Sequence, residues 1–309
     1  MGLAMEYGIY KLDFQTGVHF GTGMLNESAM TFYADQLFSA LYIEALKQGC
    51  ADDFMNSVKT GQLLFSDAFP FIGQQYFVPK PMLYVENKRE EQGDSIKKKK
   101  FKKLLFLPEE ELNAFLDGSL EYKDDPLKNI GKFVQQAKGN VRSGEEDTRP
   151  FRVGTFNFNE GSGLYVILAY EKVTEKELFE ELFEALSYTG IGGEKSSGLG
   201  KFVLRTGILS VDYRRRLDAK SERNMLLSVA LPRQEEMELA LEEAAYTLMK
   251  RSGFIDSQAF APEVQKKRDM YVMGAGSIVR YQFKGDVYDV APEGKHPVYR
   301  YAKPLFLGV

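Results

Sequence analysis

Residues 190–200 read GIGGEKSSGLG, and no other stretch narrows the fold of this chain as sharply. Before it, Leu178, Leu182 and Leu186 recur every fourth residue, and Thr174 followed by Glu177 has the spacing of a capping box. A helix is therefore expected up to Gly190. After it, KFVLRTGILSV has the texture of a strand. Phosphate loops of the Walker and Rossmann kinds run the opposite way, from a strand into a helix whose N-terminal dipole holds the phosphate. Chain order excludes both. What remains is Gly190, Gly192, Gly193, Gly198 and Gly200 around Glu194, Lys195, Ser196 and Ser197, with Lys201 next. Glycine lets a backbone approach a ligand, and peptide N–H groups, lysine and serine suit phosphate oxygens. The plain alternative is a linker whose glycines serve turns and caps.

The flanking elements extend this frame. Tyr10, Leu12 and Phe14 alternate with Lys11 and Asp13, as in a strand with one buried face. FYADQLFSALYIEALKQG puts Phe38, Leu41, Tyr42, Ala45 and Leu46 on one helical stripe, with Gly49 as its cap. Leu63 to Phe65 reads as a short strand, and GLYVILAY (163–170) as a central one. Strand, helix, strand, strand, helix, strand is the order of a ferredoxin-like (RRM-like) unit. Downstream, LLSVAL reads as a strand, EEMELALEEAAYTLMKRSG as a helix with Leu241, Ala244 and Leu248 inward, and SIVRYQF as a strand after GAGS. The expected fold is thus α+β: two ferredoxin-like domains with antiparallel sheets, residues 1–212 and 213–309.

A long basic insertion, about residues 87–149, splits the first domain. Its KKKKFKK run sets Lys97, Lys98, Lys99, Lys100, Lys102 and Lys103 around Phe101, while NVRSGEEDTRPFR is short of aliphatic residues and reads as an exposed hairpin or loop. Either is a solvated charged surface or a place where phosphates are neutralised, with strongly salt-dependent binding. Arg142, Arg149 and Arg152, beside Phe151, can pair with phosphate or stack on a base. Gly274, Gly276 and Ser277 of GAGS are the second domain's candidate counterpart of the glycine loop. The acidic residues Glu175, Glu180, Glu181 and Glu184 are expected to face solvent.

Composition limits the chemistry. The 309 residues are 44% hydrophobic and 27% charged, enough for a buried core of about two domains. The start lacks a basic-then-apolar leader and no window holds 18 uninterrupted apolar residues, so a cytoplasmic address away from membranes is expected. One cysteine, Cys50, and two histidines, His19 and His296, cannot build a zinc cage, and no cofactor motif is present. The net charge of −4 leaves room for local basic stripes. His19 follows the first strand, near where the glycine loop should emerge. It is a histidine satisfying a backbone hydrogen bond, an RNA contact, or a general acid–base, and no second catalytic member accompanies it.

Placed between a second helix and a last strand, GIGGEKSSGLGKF resembles the glycine-rich signature of the RAMP superfamily of CRISPR RNA-binding proteins. GVHFGTG with ADQLFSAL, PKPMLYV leading into KKFKKLLFLP, and the terminal GKHPVYRYAKPLFLGV resemble the subunit of type III-A (Csm) effector complexes that binds the 5′ handle of the guide RNA (crRNA). The resemblance implies a non-catalytic RNA-binding subunit that contacts the large polymerase-like subunit and the repeating backbone RAMP subunit. It also implies a β-hairpin thumb that kinks the guide, expected around Arg142 to Arg152. Two other readings stay open: a metal-independent CRISPR repeat endoribonuclease using His19, and a scaffold that touches proteins alone.

Overall fold

The computed structural model describes residues 4–86, 101, 103–121, 125–140, 149–255, 265–292 and 296–309. The first part comprises β1 (Glu6–Phe14), β2 (Phe20–Gly21), β3 (Ser28–Ala29), α1 (Ala34–Gln48), α2 (Ala51–Thr60), β4 (Leu63–Phe65), β5 (Phe69–Ile72), β6 (Gln75–Pro79), β7 (Phe106–Pro108) and α3 (Leu112–Leu116). It continues with β8 (Gly131–Asn140), β9 (Arg149–Phe158), β10 (Ser162–Tyr170), α4 (Val173–Thr189), β11 (Phe202–Gly207) and α5 (Val211–Asp218). The second part holds β12 (Asn224–Leu226), α6 (Met237–Leu241), β13 (Leu248–Arg251), β14 (Met270–Met273), β15 (Ile278–Val279), β16 (Asp286–Asp289), β17 (Tyr299–Ala302) and β18 (Phe306–Gly308).

The principal sheet runs β11-β1-β10-β5-β6-β7, with β4 also pairing β10. Its β1, β10, β4, β5 and β11 pairings are all antiparallel. Taking β4 and β5 as one interrupted strand, the last strand of the unit lies beside the first, then the third, then the second. That is a ferredoxin-like order, reached through α1 and α4.

Burial on both faces explains why β10 is apolar throughout. Leu164, Val166 and Leu168 enter one core with Phe38, Leu41, Phe183 and Leu186 of the two long helices. Tyr165, Ile167 and Ala169 enter another, closed by Tyr213 and Leu217 of α5 and by Met225, Leu227, Leu305 and Leu307 from the second part. Residues of the expected insertion join that second core too, through buried Leu107, Leu112, Phe115 and Leu120. This stretch is structural, whatever the basic residues around it do.

Several expectations are corrected. Gly49 caps α1 as expected, but Leu46 on the expected stripe is exposed. Helix α4 begins at Val173 with Lys172 as its N-cap, so Thr174 lies inside the first turn and the Thr174–Glu177 capping box does not form. The helix expected over residues 235–253 shrinks to α6. Glu243 adopts φ 54°, and β13 pairs with β14, Leu248 opposite Met273. The helical stripe would bury Leu248, yet it is 56% exposed while Met249 packs on the core. Long-range pairing overrides helix propensity here. The fold is α+β with antiparallel sheets; among the described residues the second part carries α6 as its α-helix beside the sheets β15-β12-β18, β13-β14 and β16-β17. No helix among the described residues is long and apolar enough to cross a membrane.

Candidate nucleic-acid interface

Because β1 and β11 are neighbours, with Phe14 opposite Phe202, the turn after β1 and the glycine loop before β11 emerge at the same end of the sheet. Main-chain hydrogen bonds sew them together. The Gln15 N–H donates to Lys201 O at 2.9 Å, Gly200 N–H to Gly17 O at 3.0 Å, and Gly193 N–H to His19 O at 2.8 Å. The Thr16 hydroxyl accepts from Lys201 N–H at 3.2 Å. A third segment, the β8–β9 hairpin, joins the same end through the reciprocal Val18 and Phe156 main-chain bonds of 2.9 and 2.8 Å. Ten residue pairs extend that hairpin, from Gly131 opposite Phe158 to Asn140 opposite Arg149.

His19 lies where the three segments meet. The residue is 7% exposed, and Nδ1 is 2.6 Å from the Gly154 carbonyl, so Nδ1–H is the donor. A Cβ added to Gly193 would come within 2.7 Å of the His19 ring, which is why glycine stands there. Of the readings open for His19, the backbone-bonded one describes its geometry. At Gly200 a φ of 76° combines with a hypothetical Cβ 2.0 Å from Ile191 O, so no other residue fits without moving the loop.

The loop's amides are mostly committed to its own folding: those of Gly190, Ile191, Gly193, Ser197, Gly198 and Gly200 donate to main-chain carbonyls. What the loop offers outward is side chains, with Ser196, Ser197 and Lys201 exposed and Lys195 half-exposed. Arg152 on β9 is exposed, but it stands opposite Ala137 in the register, on the other face of the hairpin from Lys138. Lys138 on β8 reaches across to the loop, its Nζ 3.0 Å from Glu194 Oε2.

Between the hairpin and the β2–β3 turn opens a cleft of about 380 Å³ whose lining includes Thr22, Asn26, the carboxylate-bearing Glu27, Phe133, Gln135 and Thr155. Phe133 is 63% exposed and rests edge-on against Phe156, ring centroids 4.7 Å apart. An exposed aromatic beside amides and hydroxyls can stack a base and bond its edge. The sheet face that carries bases in RRM domains is closed by the second core, whereas the loops and hairpin at this end carry exposed side chains. Lys138, Phe133 and Gln135 were missed in the sequence; the one signal was the alternation of KFVQQAK.

Other expected contacts fall elsewhere. Lys97, Lys98, Lys99, Lys100, Lys102 and Arg142 lie outside the described residues, and only the backbone of Arg149 is described, at the start of β9. Lys103 is exposed, but it precedes β7, at the sheet edge opposite β11, so the structure does not bring it to the glycine loop. Gly274, Gly276 and Ser277 do not form an exposed counterpart loop. Ser277 is fully buried with Oγ donating to Gly274 O at 2.6 Å, and a Cβ at Gly276 would meet Lys80 O at 2.8 Å. The segment is a packed turn between the two parts. Of the four glutamates, Glu181 and Glu184 face solvent, Glu175 is buried, and Glu180 accepts the Tyr10 hydroxyl at 2.7 Å.

A family model described as the CRISPR Csm4 C-terminal domain matches residues 219–309, which begin one residue after α5. A protein of Mycobacterium tuberculosis named CRISPR system Cms protein Csm4 is 38% identical over 307 residues, covering 99% of this chain and 98% of its own length. The Streptococcus thermophilus protein of the same name is 36% identical over 313 residues, covering 98% of each. The chain belongs to the Csm4 family.

Chains in solved assemblies that contain Csm4 share the fold over 98% of this chain. One, from a Csm3–Csm4 subcomplex of the type III-A interference complex, has a TM-score of 0.67 at 20% identity, covering 98% of this chain and 99% of its own. Another, from a Csm1–Csm4 cassette with AMPPNP, has a TM-score of 0.61 at 18% identity, covering 98% of each. The resemblance to a Csm subunit is thereby borne out at the level of the family.

Proposed function

We propose that this Csm4-family chain is a non-catalytic guide-RNA-binding subunit of a type III-A CRISPR effector, holding the 5′ handle at the end of the sheet where the glycine loop, the turn after β1 and the β8–β9 hairpin converge. The observation that carries the reading is this convergence. His19 uses its carbonyl for Gly193 and its ring for Gly154, so one residue fixes loop and hairpin relative to each other. Lys195, Ser196, Ser197 and Lys201 offer donors on the loop, Lys138 reaches it from the hairpin, and Arg152 and Phe133 share the hairpin's other, exposed face, where Phe133 offers a stacking surface at the cleft. Phosphate contacts of this kind position a strand, while splayed bases meeting aromatic and polar groups specify it. The hairpin is the candidate thumb. In the cytoplasm the chain would link the large polymerase-like subunit to the repeating backbone subunit, a role supported by relatives solved with Csm1 and with Csm3. A catalytic role for His19 is disfavoured by its burial and the commitment of Nδ1.

Replacing Lys195 and Lys201 by glutamate is expected to weaken binding of handle-containing RNA by at least tenfold in a filter-binding or anisotropy assay. Affinity equal to that of the unsubstituted chain would remove the loop from the interface. Incubation of the chain with repeat RNA in chelator should yield no specific cut; a cut lost in His19→Ala would overturn the non-catalytic reading.

A further inference from the structure

Glu194 runs against the chemistry of the loop that contains it. It stands between Gly193 and Lys195 with φ 58°, a left-handed conformation that is strained for a residue with a side chain and easy for a glycine. Strain kept at a ligand-facing loop points to a use for the side chain. Its charge also has the wrong sign, since a carboxylate amid phosphate-seeking groups repels RNA unless that charge is occupied.

It is occupied. Oε2 of Glu194 accepts from Lys138 Nζ at 3.0 Å and from Ser197 Oγ at 3.4 Å, bridging the glycine loop to the hairpin. The two side chains are 23% and 28% exposed, so the pair is shielded yet within reach of a molecule entering between loop and hairpin. An ammonium and a hydroxyl converging on one anionic oxygen are also what a phosphodiester oxygen requires.

We propose that Lys138 and Ser197 form an RNA-phosphate site that Glu194 fills in the free chain. A phosphate oxygen displaces the carboxylate from the ammonium, and Glu194 turns to solvent. The displacement sets an electrostatic threshold, because only a strand held by the surrounding contacts as well can compete with a carboxylate already in place. This rests on the RNA-binding reading above, and adds to it a residue pair and a means of discrimination against loosely held RNA.

The prediction concerns ions as well as affinity. The counterions released on binding come from the RNA, one for each phosphate neutralised, so Lys138 seated on a phosphate contributes about 0.7 to the slope of log affinity against log salt on single-stranded RNA whether or not Glu194 was displaced to admit it. The test titrates the full chain with two labelled RNAs of equal length, one carrying the repeat-derived 5′ handle of the host array and one of polyuridine. Glu194→Gln, which keeps the shape and removes the charge, is expected to bind both several-fold tighter at low salt with the slope unchanged. Lys138→Gln should make the slope shallower by about 0.7, alone or combined with Glu194→Gln. If Lys138→Gln leaves the slope unchanged, or Glu194→Gln weakens binding, the pair is a strut between hairpin and loop and the proposal falls. Equal affinity for the two RNAs overturns the handle reading and leaves the slope comparison intact. Binding of neither RNA overturns both.

Discussion

Asp67 is buried where α1 meets the second part of the chain, and its carboxylate ties them directly. Oδ1 accepts the Ala34 N–H at 2.7 Å and the Val229 N–H at 3.0 Å, and its own N–H donates to Leu227 O at 2.8 Å. Burial pushes the carboxyl up to about 7, although the two amides pull the other way. A folded-state value above the unfolded one means that this group favours folding below the ordinary aspartate range. That contribution is lost as pH rises through about 4 to 7. Asparagine keeps an oxygen for both amides and cannot ionise. The melting temperature of Asp67→Asn relative to the unsubstituted chain is therefore expected to rise between about pH 5 and about pH 8. A difference that stays flat, or falls, would contradict the assignment. Because both proteins share every other titrating group, the comparison isolates this one.

At the scale of elements, the first turn of α1 is held by two strands from the far end of the chain. Asp35 accepts from Arg251 of β13 at 2.8 and 3.0 Å and from Arg300 of β17 at 2.6 Å, and the Arg251 guanidinium lies 4.3 Å from the Tyr33 ring centroid. Asp35→Ala would strand two guanidinium groups away from water, with an expected loss of about 3–5 kcal/mol in denaturant unfolding. Arg251→Ala leaves Arg300 paired and should cost less; the reverse order would show that this is not the tie that docks the strands. The same tie shows what the sequence could not reveal. Helices α1 and α4 and strands β1 and β10 were legible because Phe38, Leu41, Leu182, Leu186 and the β10 run carry their own periodicity. Strand β13 read as helix because what makes it a strand, its pairing with β14 and the reach of Arg251 to Asp35, is long-range. The site divided along the same line. Neighbouring strands made the meeting of His19 and the glycine loop predictable, whereas Lys138 faces a glutamate 56 residues further on. The GAGS turn misled because a short glycine segment looks alike whether it greets a ligand or packs under a strand.

Across the whole molecule, the principal sheet is enclosed on both faces, and the second enclosure comes from residues that follow it in sequence. Tyr301 stacks on Phe65 with ring centroids 4.6 Å apart, and Leu305 and Leu307 cover Tyr165 and Ile167. Residues 1–218 produced alone should consequently bind a hydrophobic dye such as ANS and melt without a cooperative transition, while the full chain melts cooperatively. A shortened chain that is monomeric, dye-silent and cooperative would mean that the first part is an independent domain. The interlocking also bears on biosynthesis. Domains that finish early on the ribosome fold while the remainder is still being translated. Here β17 and β18 seal a core begun with β1, so the interior of the nascent protein cannot close until residues 299–308 have been made, and until then it depends on whatever keeps unfinished chains from aggregating.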